Sequence, residues 1–197
     1  YEYTQLYFSG KLGFDNWQSV AVQGIADFAL RLDSDKNLAS LQQAWEQLPA
    51  EVLQPLSAML EHVEIPPVFS QQLLSYAQQA IAQKDTLALC CALRAMSKAQ
   101  AQRLTVQLVD TLLDSEIATE SDVLLTIAGR CFNLLTDPER LHIFMDNCAH
   151  HQQIEELFPS IFADLVAIPS IRPHLLGLLR KENRSETLAR AIGRLFS

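Results

Sequence analysis

Apolar residues return every three or four positions along most of this chain, and the clearest series is Trp17, Ala21, Ile25, Phe28, Ala29 and Leu32. That spacing puts the residues on one face of a helix, the face that has to be buried. Further series are Leu73, Leu74, Ala77 and Ile81; Ala101, Leu104, Leu108 and Leu112; Leu124, Ile127, Ala128, Cys131 and Leu135; and Leu188, Ala191, Ile192 and Leu195. No stretch alternates convincingly with the period of a strand. The pattern predicts an all-α fold of about eleven antiparallel helices joined by short connections.

Helix punctuation agrees with this reading. Asp15 with Gln18 has the form of a capping box, and Asp137-Pro138 and Ser185-Glu186 read as a cap followed by a first turn. Pro66-Pro67 and Pro169 separate neighbouring apolar runs. A faint internal echo relates Leu124 to Phe132, LLTIAGRCF, to Leu188 to Phe196, LARAIGRLF, with Gly129 and Gly193 matched. Glycine inside a helix costs about 1 kcal/mol. Close approach of a neighbouring helix would compensate, and it is expected at Gly129, Gly193 and Gly24. On this echo a HEAT-like α-solenoid stands beside a helical bundle as the expected architecture.

Composition narrows the setting. With 197 residues, 49% of them hydrophobic, the chain suits a single all-helical domain spanning 1–197. It opens on Tyr-Glu-Tyr-Thr-Gln, without Met or a secretory leader, and is therefore expected to be the C-terminal fragment of a longer chain. Arg94 and Asp164 interrupt the longest apolar runs well below the roughly 20 residues of a membrane span. Cys90, Cys91, Cys131 and Cys148 form no CxxC pair and read as reduced core thiols of a cytoplasmic protein.

The net charge of −8 is unevenly spread. Residues 172–197 carry six Arg/Lys against two Glu, a balance of +4; the rest carries nine against twenty-one Asp/Glu, a balance of −12. An acidic body argues against general nucleic-acid binding and leaves the basic tail as a local exception.

Three segments carry a resemblance: YFSGKLGFDNWQSVAVQGIADFALRLD from Tyr7, LPAEVLQPLSAMLEH from Leu48 and FADLVAIPSIRPHLLGLLR from Phe162. They resemble the C-terminal part of a gammaproteobacterial family defined only as a domain of unknown function, DUF3549. The resemblance implies a bacterial cytoplasmic protein that is longer at its N-terminus. It brings no activity, cofactor or catalytic residue with it.

Chemical motifs are fragmentary. Ser9-Gly10-Lys11-Leu12-Gly13 lacks the length and the hydroxyl of a phosphate loop, so its glycines read as a helix end and a turn. Asp33-Ser34-Asp35-Lys36-Asn37 begins like a calcium loop, but Leu38 stands where glycine is needed and Ala44 where glutamate is needed. That leaves a loop with an N-cap. Cys148, His150, His151 and Glu155 are dense in ligand atoms but match no zinc spacing, and read as a polar helix junction. His62, His142 and His174 are isolated, and neither GxSxG nor HExxH occurs. No catalytic residue, metal or cofactor is expected; an enzyme would need a site that only the fold assembles.

Two surfaces remain as candidates for a protein partner. Six of the fifteen aromatics, Tyr1, Tyr3, Tyr7, Phe8, Phe14 and Trp17, crowd the start of the chain, either as core or as a contact surface. Arg172, Arg180, Lys181, Arg184, Arg190 and Arg194 form the basic tail, either a solvated, ion-paired face or a grip for nucleic acid or an acidic partner. The expected contact residues are Tyr3, Tyr7 and Trp17 in the first and Arg180, Lys181, Arg190 and Arg194 in the second. A helical scaffold that binds another protein is the leading expectation.

Overall fold

A computed structural model describes residues 1–34 and 36–197. The fold is all-α. Among the described residues it contains twelve α-helices and four short 3-10 segments, and its extended pairing is one parallel bridge between Ile65 and Ala99. No described helix is long and apolar enough to cross a membrane. The chain forms two compact units, Tyr1–Thr105 and Val106–Ser197.

The first unit holds α1 (Glu2–Phe8), α2 (Val22–Leu30), α3 (Asn37–Ala44), α4 (Ala50–Leu60), α5 (Pro67–Gln83) and α6 (Thr86–Met96). Helix α7 (Gln102–Leu113) runs through the division. The second unit holds α8 (Ser121–Arg130), α9 (Pro138–His150), α10 (Leu157–Val166), α11 (Arg172–Leu178) and α12 (Glu186–Arg194).

In the first unit helices two apart in chain order pack together, α1 on α3, α2 on α4 and α4 on α6, and α5 packs on α6. Aromatic rings fill the interior between them. Phe8 stacks on Phe28 with centroids 4.1 Å apart, Tyr7 meets Phe8 and Phe14 edge-on, and Trp45 meets Phe69 and Tyr76 edge-on. Trp45 is wholly buried and its indole N–H has no hydrogen-bond partner among the described residues.

The helix expected to start at Asp15 and run to Leu32 is broken in the structure. Gly10 and Gly13 take left-handed φ of 76° and 74° and turn the chain out of α1, as their positions predict. A 3-10 turn, Phe14–Ser19, follows, with Gly13 at its N-cap and no side-chain cap from Asp15. The buried Tyr7 hydroxyl donates to the Phe14 carbonyl at 3.0 Å and ties this turn to α1. Val20, β-branched, is extended with φ −92° and ψ 106°, and α2 begins at Val22. Trp17 is therefore half-buried and Ala21 exposed, while Ile25, Phe28, Ala29 and Leu32 reach the core.

Close approach at a helical glycine occurs once of the three times expected. A Cβ at Gly24 would collide with the Thr4 hydroxyl of α1, so the missing side chain is what lets α1 lie against α2. Gly129 and Gly193 have open space around them. The echo that matched them is the ending of two helices, α8 at Arg130 and α12 at Arg194, each followed by an exposed aromatic, Phe132 or Phe196.

The second unit packs α9 against α8, α10, α11 and α12 around aliphatic side chains with Phe144 and Phe158. Both predicted caps form. The Asp137 carboxylate accepts from Glu139 N at 3.1 Å and Arg140 N at 2.8 Å, and Ser185 Oγ accepts from Leu188 N at 3.0 Å.

Candidate functional site

In the first unit Leu30, Leu32, Leu38, Val63 and Pro66 wall a cleft of about 550 Å³, with Asp33, Glu64 and Gln100 exposed around it. One wall comes from the end of α2 and the start of α3, which a buried amide ties together. Asn37, 2% exposed, donates from Nδ2 to the Arg31 carbonyl at 2.7 Å and to the Tyr1 hydroxyl at 2.8 Å. Its Oδ1 accepts from Gln5 Nε2 at 3.1 Å. The Arg31 guanidinium lies 4.6 Å above the Tyr1 ring, a cation–π contact that pins the same wall from outside.

The opposite wall is the link from α4 to α5. Ile65 is fully buried and its carbonyl accepts from Gln100 N at 3.0 Å, next to the bridge with Ala99, so Val63 and Pro66 are held at the opening. Pro66 caps α5 and Pro67 begins it, which stops any helical continuation across the cleft. Leu30 ends α2 with 70% of its surface exposed. Among the described residues neither Asp33 nor Glu64 has an ion-pair partner. The cleft thus presents aliphatic walls with two exposed carboxylates beside them, and the Asp33 carboxylate accepts from the Ser34 hydroxyl at 3.4 Å.

Sequence reasoning did not single out these residues. Leu30 carried a readable signal, since it is a large apolar residue lying off the Ile25/Phe28/Ala29/Leu32 stripe. In the sequence Asp33 and Asn37 stand out only as parts of a calcium-loop fragment. Asn37 instead saturates its amide inside the protein, α3 has no side-chain N-cap, and Asp35 lies outside the described residues.

The expected aromatic surface is divided. Tyr3 is 42% exposed and Trp17 half-buried, but Tyr7 is wholly buried, and burial with the nearby Asp15 and Glu51 charges pushes its hydroxyl up to about 12. Tyr7 is a core residue holding the Phe14 turn and offers nothing to a partner.

The basic tail is largely engaged. Arg172 Nε donates to the Val166 carbonyl at the end of α10, and Arg184 to the Leu179 carbonyl beyond α11, each at 2.7 Å. Lys181 pairs with Glu139 at 2.9 Å and Arg190 with Glu186 at 3.4 Å. Arg180 and Arg194 are exposed and have no partner among the described residues.

A second opening, of about 490 Å³, is lined by His142, Ile143, Asp146, Asn147, Arg184 and Ser185 together with Leu113 and Asn183. Ser185 both caps α12 and donates to Asp146, whose other oxygen lies 3.5 Å from His150 Nδ1. The serine hydroxyl thus ties the start of α12 to the Asp146 side chain of α9.

The Cys148/His151 group is a junction. His151 bridges the Thr119 carbonyl at 2.7 Å and Ile154 N at 3.0 Å, so its ring carries the proton on Nδ1 and accepts on Nε2. Cys148 is core, and burial holds its thiol well above the usual value; burial lifts Cys131 to about 12. Among the described residues no three His, Cys, Asp or Glu side chains converge as a metal site would require.

The chain belongs to the protein family of unknown function DUF3549, whose model matches residues 1–196. No curated protein and no solved structure matches it.

Proposed function

We propose that this chain is a non-enzymatic helical interaction module of the bacterial cytoplasm that binds a protein segment in the cleft between the α2–α3 turn and the α4–α5 link. The observation that carries this reading is the pairing of exposed Leu30 and the aliphatic walls with the unpaired carboxylates of Asp33 and Glu64. Apolar surface held open by a buried hydrogen-bond network is pre-organised, and pre-organisation lowers the entropic cost of binding. The packing of helices two apart in the first unit supports the scaffold reading further, because stacked helical pairs build extended contact surfaces. A nucleic-acid grip by the tail has less to stand on, since four of its six cations already hold protein carbonyls or carboxylates.

The test is capture of partners from a lysate of the native host by tagged wild type and by Leu30→Glu, each at low and high salt. The reading expects a stoichiometric protein that survives high salt on the wild type and is absent from the variant. Equal capture by both would remove the cleft, and nucleic acid lost at high salt would favour the tail instead.

A further inference from the structure

We infer that the occupant of this cleft is the Arg194-Leu195-Phe196 segment of a second copy of the chain, so that the protein associates head to tail; the inference rests on the cleft being a protein-binding site. Phe196 and Leu30 are the two most exposed large apolar side chains among the described residues, at 71% and 70%. One stands beyond the end of α12 and the other at the cleft, and they belong to different units. Their surroundings are opposite in charge. Arg194, exposed and unpaired, precedes Phe196 by two residues, while Asp33 and Glu64 beside the cleft are unpaired carboxylates. An aromatic with a neighbouring cation is the ligand that aliphatic walls under negative charge select.

Leu188 and Ile192 are buried and hold α12 on α9, which leaves Phe196 without a share in that packing. Each head-to-tail contact uses the tail of one copy and the cleft of another, so a pair keeps one free cleft and one free tail, and chains of copies grow with concentration. One aromatic and one leucine make a small interface, so the association is of the weak class, with a Kd of about 10⁻⁴ M.

Sedimentation of the whole chain from about 10 μM to about 1 mM tests this directly. The wild type is expected to rise above its 22.1 kDa monomer with concentration, and Leu30→Glu and Phe196→Glu are each expected to stay monomeric. Both positions are about seven-tenths exposed, so the variants keep their fold, and matching thermal melts will verify it. An equimolar mixture of the two variants is decisive: the one intact tail meets the one intact cleft, giving a dimer and nothing larger. Arg194→Glu is expected to weaken association about tenfold, and Asp33→Lys with Glu64→Lys in that background to restore it.

A wild type that stays monomeric, or variants that associate as the wild type does, would overturn the inference. So would an oxidised Leu30→Cys/Phe196→Cys chain whose new disulfide forms within a monomer, which would seat the tail in its own cleft. Failure here is separable from failure of the cleft reading. If the chain is monomeric but unrelated synthetic peptides pairing Arg with Phe bind the wild type and not Leu30→Glu, the cleft binds a foreign segment; if no such peptide binds, both readings fall.

Discussion

In Tyr1–Thr105 the decisive polar side chain, Asn37, is buried and bonds three other groups, and the result is a surface opening with a fixed shape. In Val106–Ser197 the decisive polar side chains sit near water and close helix ends: Asp137 on α9, Ser185 on α12, Arg172 at the end of α10 and Arg184 beyond α11. The same chemistry does different work because solvent exposure differs. A buried donor deprived of its partner cannot turn to water, whereas an exposed one can. Charge density along a sequence thus overstates the free charge on the folded surface, since four of the tail's six cations are occupied by the protein itself.

The comparison breaks most easily at Asn37. Asn37→Ala removes a donor from the Arg31 carbonyl and from the Tyr1 hydroxyl and an acceptor from Gln5, leaving the bond from Gln5 Nε2 to the Tyr1 hydroxyl at 3.1 Å, and should lower stability by about 2–3 kcal/mol in urea denaturation. It should also weaken whatever the cleft binds, because the helix ends beside Leu32 and Leu38 lose the amide that ties them together. A cost below about 1 kcal/mol would mean that the network is solvated and does not shape the cleft.

Glycine sharpens the contrast next. Gly24→Ala drives a methyl into the Thr4 hydroxyl, and Thr4 is buried and β-branched with few rotamers open to it, so a loss of about 1–3 kcal/mol is expected. Gly129→Ala and Gly193→Ala, in open helical positions, should each gain up to about 1 kcal/mol. The opposite signs should appear in thermal melts of the three single variants, and a loss at Gly129 or Gly193 would show that a neighbour does approach there.

These residues also show what could be read before the fold was known. Asp137-Pro138, Ser185-Glu186, Gly10 and Gly13 act through atoms within a few residues of themselves, and their roles follow from local chemistry. The all-α class follows from periodicity in the same way. The break at Phe14–Ser19 does not, because it involves the Tyr7 hydroxyl, and an apolar stripe continues through the break as though the helix did. The cleft was hidden for the same reason. Val63, Pro66 and Leu38 come from separate links, and only the tie between Gln100 and Ile65 and the amide of Asn37 bring them to one opening.

A smaller effect is expected at Asp137. Asp137→Ala removes a cap from α9 and should cost about 1 kcal/mol near neutral pH. The backbone N–H of Arg140, with help from that residue's charge and from Glu139 N, holds the Asp137 carboxyl below its ordinary value. A depressed folded value means that this contribution is present above the unfolded carboxylate range and is lost as pH falls through the folded one. The gap between wild type and variant should therefore narrow in acid, and a gap that widens would show that the cap works through something other than the carboxylate.

The smallest effect tests whether the tail's exposed charge contributes to stability at all. Arg190 and Glu186 form a pair one helical turn apart, 3.4 Å at closest approach, with side chains 67% and 92% exposed. Holding two long side chains together in water gains little over leaving them free, so Arg190→Ala should change stability by less than about 0.5 kcal/mol. Raising the salt concentration should erase even that difference. Arg184→Ala offers the matched measurement in the same tail, because its guanidinium holds the Leu179 carbonyl in a half-buried position. A loss at Arg184 that clearly exceeds the loss at Arg190 separates cations that close helix ends from cations that only decorate them; equal losses would dissolve the distinction on which the contrast between the two units rests.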